Sequence, residues 1–252
     1  MIETLEAVQW AQWELAERVH RVRTSVPPQF RIHGWRWHQA ALLRDATRFR
    51  ERARQATCDA GAGESRQALV RAFRWLADYN LRDFHLLENE VFYPFLLRKL
   101  PDRERAAQLT QLGRSRQERI EARMRELRHH LQVFTGNDAR ECVGARNRIE
   151  WCAEQLLEDM ATGFTEQQML IVPLVARTVS VKDQQAMERI AQHRLNWRQK
   201  RVHLVSFYEA IRSNPEELRI FRAHVPGFAR LLLHTWRTHD YLPLTNALDA
   251  PR

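Results

Sequence analysis

The residues best placed for chemistry are Glu88 and its neighbours in Phe84-His85-Leu86-Leu87-Glu88-Asn89-Glu90-Val91-Phe92-Tyr93-Pro94-Phe95-Leu96-Leu97. Apolar side chains at Phe73, Leu76, Leu87, Val91 and Phe95 draw a helical stripe at i, i+3, i+4, i+7 spacing. Phe84 and Glu88 fall on that stripe, and His85 lies one step round it. A carboxylate aimed into a helical core is costly unless it is paired. Two kinds of partner suit it: a metal ion, of the sort helical bundles hold between facing helices, or one of the chain's many arginines.

A second stretch repeats the plan. Gly163-Phe164-Thr165-Glu166-Gln167-Gln168-Met169-Leu170-Ile171-Val172-Pro173-Leu174-Val175 aligns on the first with Pro173 on Pro94. Each copy has polar residues, an apolar run, a proline and further apolar residues, and each ends a long helical pattern preceded by another helix across a turn. Two such hairpins predict a four-helix bundle with pseudo-twofold symmetry.

The elements that must position these residues follow from the punctuation. The pattern predicts an N-terminal amphipathic helix over residues 2 to 23, with Leu5, Val8, Leu15 and Val19 on one face and Trp10 and Trp13 beside them. Thr24-Ser25-Val26-Pro27-Pro28 ends it. Bundle helices are expected over 33–58, 64–100, 102–134 and 139–178, with Asn137 or Asp138 able to cap the last. Shorter helices over 182–197, 199–211 and 215–236, interrupted at Val225-Pro226-Gly227, suit an extension packed on the bundle end. The organisation reads as 1–29 helix and linker, 30–178 bundle and 179–252 extension.

Eight glycines and few alternating β-branched runs place the 252-residue chain in the all-α class. The net charge of +9 favours anionic company. The only lysines are Lys99, Lys182 and Lys200, and the arginines are spread among Asp and Glu. That dispersion fits a protein partner with an acidic face better than nucleic acid, for which no reading motif is present. Cys58, Cys142 and Cys152 form no C-x-x-C and no even framework, which suggests a reducing, cytoplasmic compartment. The acidic start of the chain lacks a signal-peptide layout, and no apolar run is long enough to span a bilayer.

Paired helix ends with a glutamate, polar residues, an apolar run and proline resemble the hemerythrin-like family over residues 30–178. The Glu88-Asn89-Glu90 run and Ile190-Ala191-Gln192-His193 are similar to the hemerythrin-like domains of iron-sensing ubiquitin-ligase subunits. The resemblance implies a bundle holding a di-iron centre with histidines and bridging carboxylates. Carried onto this chain, Glu88 takes the bridging position, and His33 or His38 the first-helix position; His38 shares a face with Leu42. Phe84 stands where a histidine is expected, residues 102–128 hold no histidine, and Gln117 or Glu118 occupies that neighbourhood. Gly163 and Gln167 replace the second histidine and glutamate.

The remaining metal candidates are His38, His85 and Glu88, with Glu166 or Glu121 assisting, so the cofactor is expected to be none or iron. Otherwise an arginine such as Arg123 or Arg44 fills the void. His129 and His130 complement a helix C-terminus; His234 and His239, with Asp240, are off a shared face; His193, His203 and His224 are scattered. The tryptophans read as core anchors. No nucleophile triad, phosphate loop or zinc spacing appears, so no enzyme is expected. The leading expectation is a regulatory or protein-interaction bundle with a degraded di-iron site; the rivals are an iron or oxygen sensor or store with a non-standard site, and a basic nucleic-acid adaptor.

Overall fold

The apolar periodicity is realised as helices throughout. A computed structural model describes residues 27–59, 62–136 and 139–248, and among them there is no strand. Helix α1 spans His33–Gln55. Helix α2 is continuous but changes winding. It is α-helical over Gly63–Arg74, π-helical over Trp75–Leu81, α-helical over Arg82–Leu87, π-helical over Glu88–Phe92 and α-helical over Tyr93–Lys99. Then come α3 (Arg103–Phe134), α4 (Ala139–Thr178), α5 (Val181–Arg194), α6 (Trp197–Ile211), α7 (Pro215–His224) and α8 (Gly227–Trp236). A π turn over Arg237–Tyr241, a short helix over Leu242–Thr245 and a 3-10 turn over Asn246–Leu248 follow.

Side-chain caps fix four of the starts. Asp102 accepts from the Arg105 N–H, and Ser180 from that of Asp183. Asn196 and Gln199 form a reciprocal capping box, so Trp197 begins α6; the expected single helix over 182–197 is broken there. Asn214 accepts from Glu216 and Glu217 at the head of α7. Helix α1 has no cap of its own; Glu188 on α5 accepts from the Gly34 N–H at 2.8 Å and serves that end from outside.

The four long helices pack in sequence, each against the next in the opposite direction. Asp45 meets Trp75 and Trp35 meets Glu88 between α1 and α2, while Asp78 meets Arg128 and Glu88 meets Arg116 between α2 and α3. Arg116 meets Gln167 between α3 and α4, and Gln39 and Arg54 on α1 meet Gln167 and Glu154 on α4. The interior is built from Leu42, Phe49, Leu76, Phe84, Ile120, Leu127, Leu156 and Phe164, each at most 1% exposed. Each such burial is worth about 1.5–3 kcal/mol. Helix α6 lies along α1, tied by Arg44 to the Ser206 carbonyl at 2.8 Å and by Asp83 of α2 to His203 at 2.9 Å.

Two expectations change. Helix α1 ends at Gln55, and Cys58 beyond it is joined by a disulfide to Cys142 at the head of α4. The odd cysteine count concealed a pair separated by 84 residues, leaving Cys152 buried and free. The expected N-terminal helix over 2 to 23 and the caps Asn137 and Asp138 lie outside the described residues. No helix among the described residues is long and apolar enough to cross a membrane.

Candidate functional site

The second π segment of α2 opens at Glu88 and ends two residues before Pro94. Proline lacks an N–H and crowds the carbonyl one turn back, and a widened turn is one way a helix accommodates that disturbance. Glu88 is 0% exposed, at the level where Trp35, Tyr93, Arg116, Gln117 and Gln167 converge from all four long helices.

Its partner is an arginine. The Arg116 guanidinium, 2% exposed, donates to Glu88 Oε2 at 2.5 Å, to the Gln167 side-chain oxygen and to the Tyr93 hydroxyl at 3.3 Å. Gln117 Nε2 donates to the same Glu88 oxygen at 2.8 Å. Trp35 Nε1 donates to the other at 3.2 Å. The guanidinium carbon lies 5.0 Å from the Phe164 ring centre and 5.8 Å from that of Phe84, so its faces are held by aromatic rings. Burial beside Glu88 pushes the Tyr93 phenol up, so it stays protonated.

The chain makes room for this arginine by two small residues. A Cβ at position 163 would lie 2.6 Å from Arg116 Cδ, and one at position 113 would lie 2.1 Å from the Tyr93 hydroxyl oxygen. Glycine at both positions is therefore a packing requirement. The network extends outward. Gln39 donates to Gln167 at 2.9 Å, Gln168 donates to Gln39 at 2.6 Å, and Arg36 joins Gln168 to Glu217 on α7. Hydrogen-bonded polar groups, buried except for the half-buried Gln168, thus run from the bundle centre to the C-terminal helices.

The three metal candidates have separate partners. His38 Nε2 meets the Asn80 side-chain oxygen at 2.9 Å, and Asn80 donates to Asp45, which fixes Nε2 as the protonated ring nitrogen. Burial, reinforced by the neighbouring His203, lowers its pKa to about 3, so it is neutral. His85 Nδ1 faces Glu121 at 3.4 Å; burial lowers its pKa, and Arg116 adds to that effect. Glu166 is exposed. Among the described residues no three His, Cys, Asp or Glu side chains are grouped to hold a metal ion.

The arginines expected as substitutes are elsewhere. Arg44 binds Asp45, Ser206 and Tyr241, and Arg123 binds Glu126 and Asp159. The sequence carries two signals for Arg116: it falls on the apolar seam of α3, four residues before Ile120, and Phe84, Gly163 and Gln167 occur together opposite it. A di-iron centre does not fit this donor set, which offers one carboxylate, neutral amides and a cation in its middle. Compared with protein-family models, curated proteins and solved structures, the chain shows no significant match.

Proposed function

We propose that this chain is a hemerythrin-like four-helix bundle in which an internal arginine takes the place of the metal centre, and that it serves as a non-enzymatic regulatory or protein-interaction module. One observation carries the reading. Phe84, Glu88, Gly163 and Gln167, where the resemblance puts iron ligands, all contact or abut Arg116. A guanidinium paired with Glu88 supplies the countercharge that a metal would otherwise provide. Helix α8 supports the interaction half, since Phe228 and Leu231 are 59% and 83% exposed beside Arg230. The net charge of +9 favours an acidic partner.

Elemental analysis of protein purified from iron-supplemented cells, with thermal melts in iron and in chelator, tests this reading. Substoichiometric metal and unchanged melts are expected. About two irons per chain with oxo-bridge absorption would overturn it in favour of an iron protein with unfamiliar ligands.

A further inference from the structure

A cleft of about 930 Å³ lies between the C-terminal end of α1, the first half of α2 and the final turns of the described chain. Its cations are Arg52, Arg71, Arg74 and Arg82. Arg82 is engaged with Asp83 at 3.3 Å; of the two carboxylates lining the cleft, Asp78 is taken by Arg128 at 2.6 Å and Glu64 stands near the start of α2. Arg52, Arg71 and Arg74 form no ion pair among the described residues.

Arg52 is the telling case. It is 8% exposed, its Nε has no hydrogen-bond partner, and it lines the cleft. A position in the last turn of α1 suits a cation electrostatically. That does not replace the hydrogen bonds and countercharge a buried guanidinium needs. The Tyr79 hydroxyl on the same wall is also buried without a partner. Arg71 and Arg74, three residues apart on α2, are exposed, and Leu244 and Pro243 line the cleft with apolar surface.

We propose that this cleft binds a phosphate monoester, with Arg52 as the buried anchor, Arg71 and Arg74 closing on the phosphate, and the organic body against Leu244 and Pro243. Guanidinium groups match phosphate oxygens in forked geometry, and three unpaired cations suit a dianion better than a monocarboxylate. The cleft is far larger than a bare phosphate, which leaves space for the ester's body.

Titration calorimetry at fixed ionic strength compares AMP, adenosine and inorganic phosphate on the full chain. Vesicles of phosphatidylcholine with and without phosphatidic acid test whether the ester is a lipid headgroup. The expected result is binding of AMP or of phosphatidic acid vesicles, with adenosine and plain vesicles inert. Arg74→Glu, an exposed change, should weaken binding about tenfold or more, and Arg52→Gln likewise, while Arg219→Glu on α7 leaves it unchanged. Which of the two esters binds identifies the source. The proposal is overturned if neither AMP nor phosphatidic acid vesicles bind, if inorganic phosphate binds as tightly as the ester, if adenosine binds as well as AMP, or if Arg74→Glu binds like Arg219→Glu. The Arg74 variant keeps the test decisive should Arg52→Gln fail to fold.

Discussion

Gly163 and Arg116 are sterically matched: the space a Cβ would need on α4 is filled by the methylene stem of an arginine from α3, 2.6 Å away. The same arginine bonds Glu88 and Gln167, so the small residue, the cation, the carboxylate and the amide form one unit.

Gly163→Ala tests the match by its sign. In a helix interior, alanine is favoured over glycine by up to about 1 kcal/mol. Here the added methyl pushes on a pinned side chain, and overpacking of this kind costs about 1–3 kcal/mol. Net destabilisation is expected in the parent, read from denaturant midpoints. In an Arg116→Ala, Glu88→Gln background the same change should become neutral or stabilising. An unchanged effect in both backgrounds would show that the two residues are uncoupled.

Glu88→Gln leaves the Arg116 charge buried without its counterion, at a cost of about 3–5 kcal/mol. Arg116→Met strands Glu88 in the same way while keeping a side chain between Phe84 and Phe164. The double variant removes both charges and should recover most of the loss, since a buried ion pair replaced whole is often close to neutral. A Glu88→Gln protein as stable as the parent would refute the pairing.

The sequence made the helices legible because their apolar stripes and stops are strong local signals. Glu88 stood out because a carboxylate on a core stripe demands a partner. Which partner it takes is a non-local matter. Arg116 lies in a helix thick with arginines. Its spacing, seven after Leu109 and four before Ile120, sets it on the apolar seam away from Arg114 and Arg119, but does not say that it meets Glu88. Its selection depends on the vacancy at Gly163 and on rings from Phe84 and Phe164, brought together only by packing three helices. The π turns over Trp75–Leu81 and Glu88–Phe92 were equally hidden, since the apolar stripe reads the same through either winding.

Acid should destabilise the fold through buried neutral histidines. Burial lowers His33 and His38 to a pKa of about 3. A depressed folded-state pKa means the unfolded chain binds protons first, so their stability contribution is complete above about pH 6.5 and is lost as pH falls toward 3. Glu188 runs the other way. Burial raises it to about 7, so its contribution is complete below about pH 4.5 and is lost as pH rises through 7. Each group contributes a slope of about 1.4 kcal/mol per pH unit, so between pH 4.5 and 6.5 Glu188 offsets one histidine. Glu188→Gln, which keeps an acceptor for the Gly34 N–H, should therefore steepen the rise of stability with pH by about that slope. Equal slopes in parent and variant would mean Glu188 does not titrate in this window.

The Cys58–Cys142 bridge should carry a large share of the stability at one end of the bundle. It links the loop after α1 to the first turn of α4 across 84 residues of chain. Closing a loop of that length in the unfolded ensemble is worth about 4–5 kcal/mol in the chain-entropy account. A reductant should lower the denaturation midpoint of the parent and leave Cys58→Ser, which starts lower, unmoved. Thiol counting provides an independent reading. Burial, together with Glu126, raises the Cys152 thiol to about 11, so the folded protein should label slowly. Unfolding without reductant should expose one reactive thiol, and unfolding with reductant three. Three thiols without reductant would mean the bridge is not formed in the purified protein, and a reductant should then have no effect on its midpoint.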